Sequence, residues 1–120
     1  GKINALAHTG SYLFTATDTG IYRFTGFVGS DRYWEEMNTG LSNKKVKALV
    51  AIDTITLLAG TDGSGIFITT NKGGSWSATN TGLPANAVIN SLTNAGSRLF
   101  AALDGGRLYA SDDNGANWFA

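Results

Sequence analysis

Carboxylates at three similar positions are the first feature of this chain that could do chemistry. Asp18, Asp62 and Asp104 each follow a short apolar run and begin a glycine-containing segment. Carboxylates gathered on one face can bind a cation or the hydroxyl groups of a sugar. Asp-Gly and Asp-Thr-Gly are also ordinary hairpin turns, because aspartate and glycine tolerate tight-turn backbone angles. The recurrence favours turn formation, with binding as the alternative.

Catalytic groupings are hard to assemble from the other residues. A glycosidase needs two carboxylates at a defined separation across a cleft, and no such pair is singled out by spacing. Glu35 and Glu36 are adjacent on a predicted strand, so they point to opposite faces. His8 is the sole histidine, falls in a predicted turn and has no serine or cysteine motif near it. The sequence therefore predicts no enzyme activity, no cofactor and no metal.

The elements that position these residues repeat along the chain. Trp34, Trp76 and Trp118 are 42 residues apart (76 − 34 = 42, 118 − 76 = 42). The segment Asn38-Thr39-Gly40-Leu41 returns as residues 80–83, and the Ile3-Asn4-Ala5-Leu6 pattern returns at 46–49 and 89–92. A fixed period of this length is the signature of a repeat architecture. The chain is predicted to hold three copies of one unit.

Strands fill the middle copy, which is complete. Alternating or continuous apolar runs separated by Asp, Asn and Gly turns predict strands at 46–52, 55–60, 66–70 and 75–79. Four short strands in such a unit match one blade of a β-propeller. The fold class is therefore all-β, with three four-stranded antiparallel blades at about 2–41, 45–83 and 88–120. A parallel β-solenoid with two coils per repeat is the alternative.

Composition and charge limit the classes of partner that the chain is expected to bind. Nine basic and nine acidic residues cancel, so no net field attracts nucleic acid or an anionic membrane. The 120 residues contain no cysteine, which removes thiol and zinc-cysteine chemistry. No apolar run approaches the roughly 20 residues that cross a bilayer. Neither nucleic acid nor membrane is expected as a partner.

A turn before the tryptophan repeats a polar pattern in two copies. A hydroxyl residue, an Asx residue, a glycine and a tryptophan occupy relative positions one, three, five and eight. These residues are Thr69, Asn71, Gly73 and Trp76 in the second copy, and Ser111, Asp113, Gly115 and Trp118 in the third. The pattern resembles the Asp-box repeat of sialidases, sortilin-type receptors, xyloglucan-cleaving glycosidases and the photosystem assembly factor family.

Physical reasoning assigns this turn a structural role. The Asx side chain can cap N–H groups of its own turn, glycine takes the positive φ, and the indole packs beneath the loop. Asn71 departs from the usual aspartate but offers the same acceptor oxygen. One carboxylate per loop supplies too few oxygens for calcium. The arginine cluster and the arginine-isoleucine-proline motif that a sialidase would require are absent.

The first copy departs from the pattern. Ile21 and Trp34 are 13 residues apart, whereas Ile66 and Trp76 are 10 apart, so three extra residues lie before the first tryptophan. The segment 24–33 is predicted as a surface loop that carries Phe27, Val28 and Tyr33. Loops that exceed a repeat commonly carry binding sites. A contact surface is therefore one interpretation, and aromatic packing onto the same blade is the other.

Three blades are too few to close a ring, because propellers have about 4 to 8. Two chains arranged head to tail would make six blades, so a homodimer is expected, with a complementary propeller chain as the alternative. The expected function is a self-assembling, non-enzymatic scaffold for protein or glycan contact. The alternatives are a lectin-like protein that binds glycans through Phe27, Tyr33 and the aspartate turns, and a fragment of a sialidase-like or glycosidase-like enzyme. The resemblance favours an extracellular or periplasmic setting.

Overall fold

The chain consists of strands joined by turns. The computed structural model describes residues 2–10, 12–28 and 31–120, with side chains for all of these except residues 25–28 and 31–33. The strands are β1 (Ile3–Thr9), β2 (Tyr12–Thr17), β3 (Gly20–Val28), β4 (Asp31–Glu36), β5 (Val46–Ala51), β6 (Leu57–Thr61), β7 (Ile66–Thr69), β8 (Ser77–Ala78), β9 (Ile89–Ala95), β10 (Arg98–Leu103) and β11 (Arg107–Ser111).

Each copy of the repeat forms its own antiparallel sheet. The strand orders are β1-β2-β3-β4, β5-β6-β7-β8 and β9-β10-β11, so every strand pairs with its neighbour in sequence. We call these sheets blades 1, 2 and 3. In blade 3 a single bridge between Ala110 and Phe119 stands where a fourth strand was predicted. The antiparallel pairing confirms the all-β, bladed architecture and shows that the parallel solenoid was wrong.

The core lies between the blades. Strand residues alternate between two faces, so the sheet of blade 2 presents one apolar face to blade 1 and the other to blade 3. Leu57 and Ala59 of β6 pack with Phe14 of blade 1, whereas Leu58 of the same strand packs with Leu99 of blade 3. The two clusters that result are stacked sheet-on-sheet interfaces.

The hairpin between the second and third strands is stabilised by the last residue of the second strand. In blade 2 the Thr61 hydroxyl donates to the carbonyl of Gly65 at 2.8 Å and accepts from the N–H of Ser64 at 3.0 Å. In blade 1 the Thr17 hydroxyl donates to the carbonyl of Gly20 at 2.9 Å. These contacts fix the turns that hold Asp18 and Asp62.

The prediction of a surface loop over residues 24–33 was wrong. The extra residues lengthen a hairpin, because β3 and β4 have 9 and 6 residues while β7 and β8 have 4 and 2. Gly26 pairs with Tyr33 and Phe27 with Arg32, after a bulge between Phe24 and Gly26 that absorbs a residue. His8 lies in β1 rather than in a turn. The part of the chain that the structure describes contains no helix that could cross a membrane.

Candidate functional site: the blade junctions

A tryptophan joins blade 2 to blade 1, and another joins blade 3 to blade 2. Trp76 is 3% exposed, donates its backbone N–H to the carbonyl of Thr39 at 2.8 Å, and donates its indole N–H to the carbonyl of Met37 at 2.8 Å. Trp118 is 4% exposed and repeats both bonds one blade later, to Thr81 at 2.8 Å and to Thr79 at 3.2 Å. The 42-residue interval therefore spaces the inter-blade anchors.

The Asn-Thr-Gly-Leu linker is the receiving half of the junction. The side-chain oxygen of Asn38 accepts from the N–H of Ile21 at 2.7 Å and so ties the linker to its own blade. Gly40 has a φ of 84°, and a Cβ at this position would lie 2.2 Å from the carbonyl oxygen of Trp76. The equivalent Gly82 would place a Cβ 1.9 Å from the Trp118 oxygen. Only glycine permits this approach of two backbones.

The polar turn before each buried tryptophan is held by its own side chains. In blade 2 the Thr69 hydroxyl donates to the Asn71 side chain at 2.8 Å and accepts from the N–H of Gly73 at 3.0 Å. The Asn71 oxygen also accepts from the N–H of Ser75 at 2.9 Å. All three hydrogen bonds are made within the turn itself, which presents the tryptophan to the preceding blade.

Blade 3 builds the same turn around a carboxylate. Asp113 accepts from the side-chain amide of Asn117 at 2.8 Å, from the N–H of Asn117 at 2.9 Å and from the Ser111 hydroxyl at 2.8 Å. Gly115 donates its N–H to Ser111 at 2.9 Å. These donors favour the charged form, so the pKa of Asp113 is lowered, first by the Asn117 side chain and then by its N–H.

Blade 1 has no preceding blade within this chain, and its apolar residues are exposed there. Trp34 is 43% exposed and packs on the Phe24 ring at a centroid distance of 5.1 Å. Leu6 is 60% exposed, whereas the equivalent Leu49 and Leu92 are 7% and 8% exposed. Ile3, Leu6 and Trp34 define what we call the blade-1 flank. The same positions in blades 2 and 3 are buried against a neighbour.

Blade 3 has the complementary feature on its other face. Leu108 is 58% exposed, whereas the equivalent Ile21 and Ile66, which also follow glycine-bearing turns, are fully buried against the next blade. Phe100 and Ala102 lie on this face of β10 and are partly exposed. These three residues define the blade-3 flank. It is the face that would receive a following blade.

The three aspartates at similar positions in the repeat make separate local contacts. Asp18 accepts from the side chain of Asn4 and Asp104 from that of Asn90, each at 2.8 Å, and Asp62 pairs with Lys45 at 3.2 Å. A groove of about 430 Å³ between blades 1 and 2 is lined by Asp18 and Asp62. Three lysines also line it: Lys2, Lys45 and Lys47. Charges of both signs line this groove, which gives it no preference for one ion.

Two further aromatic candidates, Phe27 and Tyr33, lie in the backbone pairing of β3 with β4, and their side chains lie outside the described residues. Sequence reasoning also missed a junction contact. The Arg23 guanidinium lies 4.6 Å above the Tyr12 ring, donates to the carbonyl of Lys72 in blade 2 at 3.3 Å, and pairs with Glu35 at 3.0 Å. No local pattern links residues 49 positions apart. Among the described side chains, no three His, Cys, Asp or Glu residues are placed to hold a metal ion.

Residues 9–120, nearly the whole chain, match the family described as the DUF6242 beta propeller domain. The chain is a DUF6242 β-propeller domain. No curated protein is similar enough in sequence to count as a relative.

Solved structures with similar folds are propellers of larger size. A structure of an ancestral GH74 enzyme matches with a TM-score of 0.73 and 19% identity, over 98% of this chain and 18% of that one. A structure of YCF48 bound to D1 peptide matches with a TM-score of 0.74 and 14% identity, over 98% of this chain and 40% of that one. The DUF6242 domain thus spans less than half the length of either chain. At these identities the likeness shows the fold alone.

Proposed function

We propose that this domain is a non-enzymatic propeller scaffold whose two open flanks associate. In this assembly, blade 1 of one copy packs on blade 3 of a second, and two such contacts close a six-bladed ring. One observation carries the proposal. Leu6 and Leu108 are exposed at opposite flanks, whereas the residues equivalent to Leu6 are buried against the preceding blade and those equivalent to Leu108 are buried against the following blade. The interior junctions are the template for the contact between copies.

The energetics favour covering both flanks. Burying a leucine side chain stabilises by about 1.5–3 kcal/mol, and a tryptophan contributes a larger apolar area. Each contact between copies would cover Leu6, Trp34 and Leu108, and the ring would contain two such contacts. Twofold symmetry supplies closure, and closure protects the sheet faces that three separate blades leave open.

A scaffold role agrees with the chemistry of the described side chains. The carboxylates of Asp18, Asp62 and Asp104 form turn and rim contacts, and Glu35 pairs with Arg23. Likeness to a GH74 enzyme concerns the fold and supplies no activity. Glycan binding through the sequence-predicted residues stays a prediction, which no contact described above favours.

A complementation experiment tests the head-to-tail arrangement. Leu6→Lys spoils the blade-1 flank and Leu108→Lys spoils the blade-3 flank, so each variant alone should be a monomer because both contacts of its ring are damaged. Mixing the two leaves one contact undamaged, and a heterodimer should form in sedimentation velocity. A control at an exposed linker residue, Lys44→Ala, should not change the mass. A head-to-head pairing would instead leave each single variant dimeric, and that result would refute the proposal.

A further inference from the structure

We infer that the blade-1 flank is a receptor for an extended linker segment of the Asn-Thr-Gly-Leu type. This inference rests on the proposed function in one respect, that a further blade lies before blade 1. It adds the chemistry of the contact at Trp34. The groups that Trp34 would bind are two backbone carbonyls, two residues apart, and the second of these residues is followed by a glycine. The occupant is thus defined by backbone geometry rather than by apolar area alone.

The two interior junctions establish this chemistry independently. The carbonyls of Met37 and Thr39 receive the indole and backbone N–H groups of Trp76, each at 2.8 Å. The carbonyls of Thr79 and Thr81 receive the same two groups of Trp118. In both cases the next residue is the glycine whose missing Cβ makes room for the tryptophan carbonyl. One recognition pattern therefore occurs twice in 120 residues.

The backbone of Trp34 is oriented to use the same pattern. Met37 donates its N–H inward to the carbonyl of Ile21 at 2.9 Å, as Thr79 does to Ile66 at 2.9 Å. Backbone N–H groups alternate in direction along a strand, so the residue three positions earlier faces outward. In blade 2 that residue is Trp76, whose N–H reaches the linker. In blade 1 it is Trp34, at the outer edge of β4.

The second copy in the proposed ring would cover the flank without supplying this segment. Both Asn-Thr-Gly-Leu linkers in the 120 residues are already engaged, by Trp76 and by Trp118. Residues Trp118-Phe119-Ala120 follow the second engagement and contain no linker of this type. A third linker, placed after blade 3 as the first two are placed after blades 1 and 2, would reach Trp34 of the partner copy.

The geometry also separates the essential residues of the segment from the dispensable ones. Glycine is required, because a Cβ would lie within 2.2 Å of the tryptophan oxygen at both known junctions. The asparagine side chain bonds to the third strand of its own blade through Ile21 or Ile66, and so plays no part in binding the tryptophan. Leu41 packs into the cluster around Trp76 and adds apolar contact.

An extension of the chain tests the inference. Adding Met-Asn-Thr-Gly-Leu-Ser after Ala120 places the methionine three residues after Trp118, as Met37 is three residues after Trp34. Sedimentation equilibrium should show dimerisation at least about tenfold tighter than for the unextended chain, since each contact gains two hydrogen bonds. The matched extension Met-Asn-Thr-Ala-Leu-Ser should give no gain. Trp34→Phe, which keeps an aromatic ring but lacks the indole donor, should lose part of it.

The outcomes separate this inference from the proposed function. Equal dimerisation of the extended and unextended chains would overturn the linker inference and leave the ring standing. An unextended monomer with an extended dimer that depends on Trp34 would support the linker inference and refute assembly of the 120-residue chain by itself. An extended chain that stays monomeric would overturn both. Circular dichroism of each variant verifies that the strands are retained.

Discussion

The indole N–H of Trp76 donates to the carbonyl oxygen of Met37 at 2.8 Å, across the junction between two blades. The partners are 39 residues apart in sequence, and neither group belongs to a strand ladder. Removing one partner of such a buried bond is costly, because the group that remains has lost its hydration and has no hydrogen bond to compensate. The bond repeats at Trp118, so the blades are joined by one contact used twice.

Replacing the tryptophans separates their two roles. Trp76→Ala should lower the free energy of unfolding by about 3–5 kcal/mol, because it opens a cavity between blades and strands the Met37 carbonyl. Trp34→Ala, made in the Leu6→Lys background expected to be monomeric, should cost less than about 1 kcal/mol, since its site is half exposed. Urea unfolding measures both. Equal losses at the two positions would contradict the assignment of Trp34 to a contact outside the chain.

The linker glycine should be irreplaceable for a reason beyond its backbone angle. Gly40→Ala combines a positive φ of 84° with a Cβ 2.2 Å from the Trp76 oxygen. Gly96→Ala provides the control, because its φ is 64° and nothing lies within 4 Å of its added Cβ. The control should cost about 1–2 kcal/mol for the angle alone. Gly40→Ala should cost about 1–3 kcal/mol more in thermal or urea unfolding, from the forced separation of the blades.

Acid should weaken the turn of blade 3. The Asn117 amide and N–H and the Ser111 hydroxyl hold the pKa of Asp113 below its usual value in the folded state. Its contribution is therefore complete above the unfolded pKa of about 3.9 and is lost as the pH falls through the lower folded value. Asp113→Asn, which copies Asn71 of blade 2, should fold at pH 7 and show a smaller loss of stability between about pH 4 and pH 2. An unchanged acid dependence would exclude this role.

The Arg23 contact should stabilise the first junction through packing more than through charge. Its guanidinium covers the Tyr12 ring and bonds to the Lys72 carbonyl, whereas the paired Glu35 is largely exposed. Arg23→Ala should cost about 1–2 kcal/mol, because the stacking and the buried aliphatic stem are lost. Glu35→Gln should cost less than about 0.5 kcal/mol, as exposed ion pairs do. The reverse order in urea unfolding would assign the stability to the ion pair.

The sequence was sufficient to predict three antiparallel blades and the turns between their second and third strands. The tryptophan interval, the alternating apolar residues of β5 and the turn-forming Asp-Gly positions each report local geometry, which is what periodicity encodes. The lengthened β3–β4 hairpin was missed because the three residues in excess of the repeat were interpreted as a loop, whereas the pairing of Gly26 with Tyr33 depends on cross-strand contacts. Whether this segment forms a loop or a hairpin depends on pairing between two strands, which the sequence of one strand does not specify.

The candidate site divides in the same way. The Asn-Thr-Gly-Leu repeat marked the linkers, but its function as a receiver of Trp76 and Trp118 required the geometry of neighbouring blades. The Arg23–Tyr12–Lys72 contact had no repeated counterpart to reveal it. The distinction between Trp34 and the other two tryptophans is invisible in spacing, because it depends on which blade has a neighbour. The position of a blade among its neighbours, rather than the type of residue, determines whether its tryptophan is a buried anchor or part of an open flank.

The solution mass of the 120-residue chain tests the central claim most directly. Association through the two flanks predicts a species of 25.2 kDa, twice the 12.6 kDa of the chain, in sedimentation equilibrium at micromolar concentration. Its mass should fall toward 12.6 kDa when Leu108→Lys is introduced, with the strand signal in circular dichroism retained. A wild-type chain that is folded and remains at 12.6 kDa over the same concentrations would contradict the account.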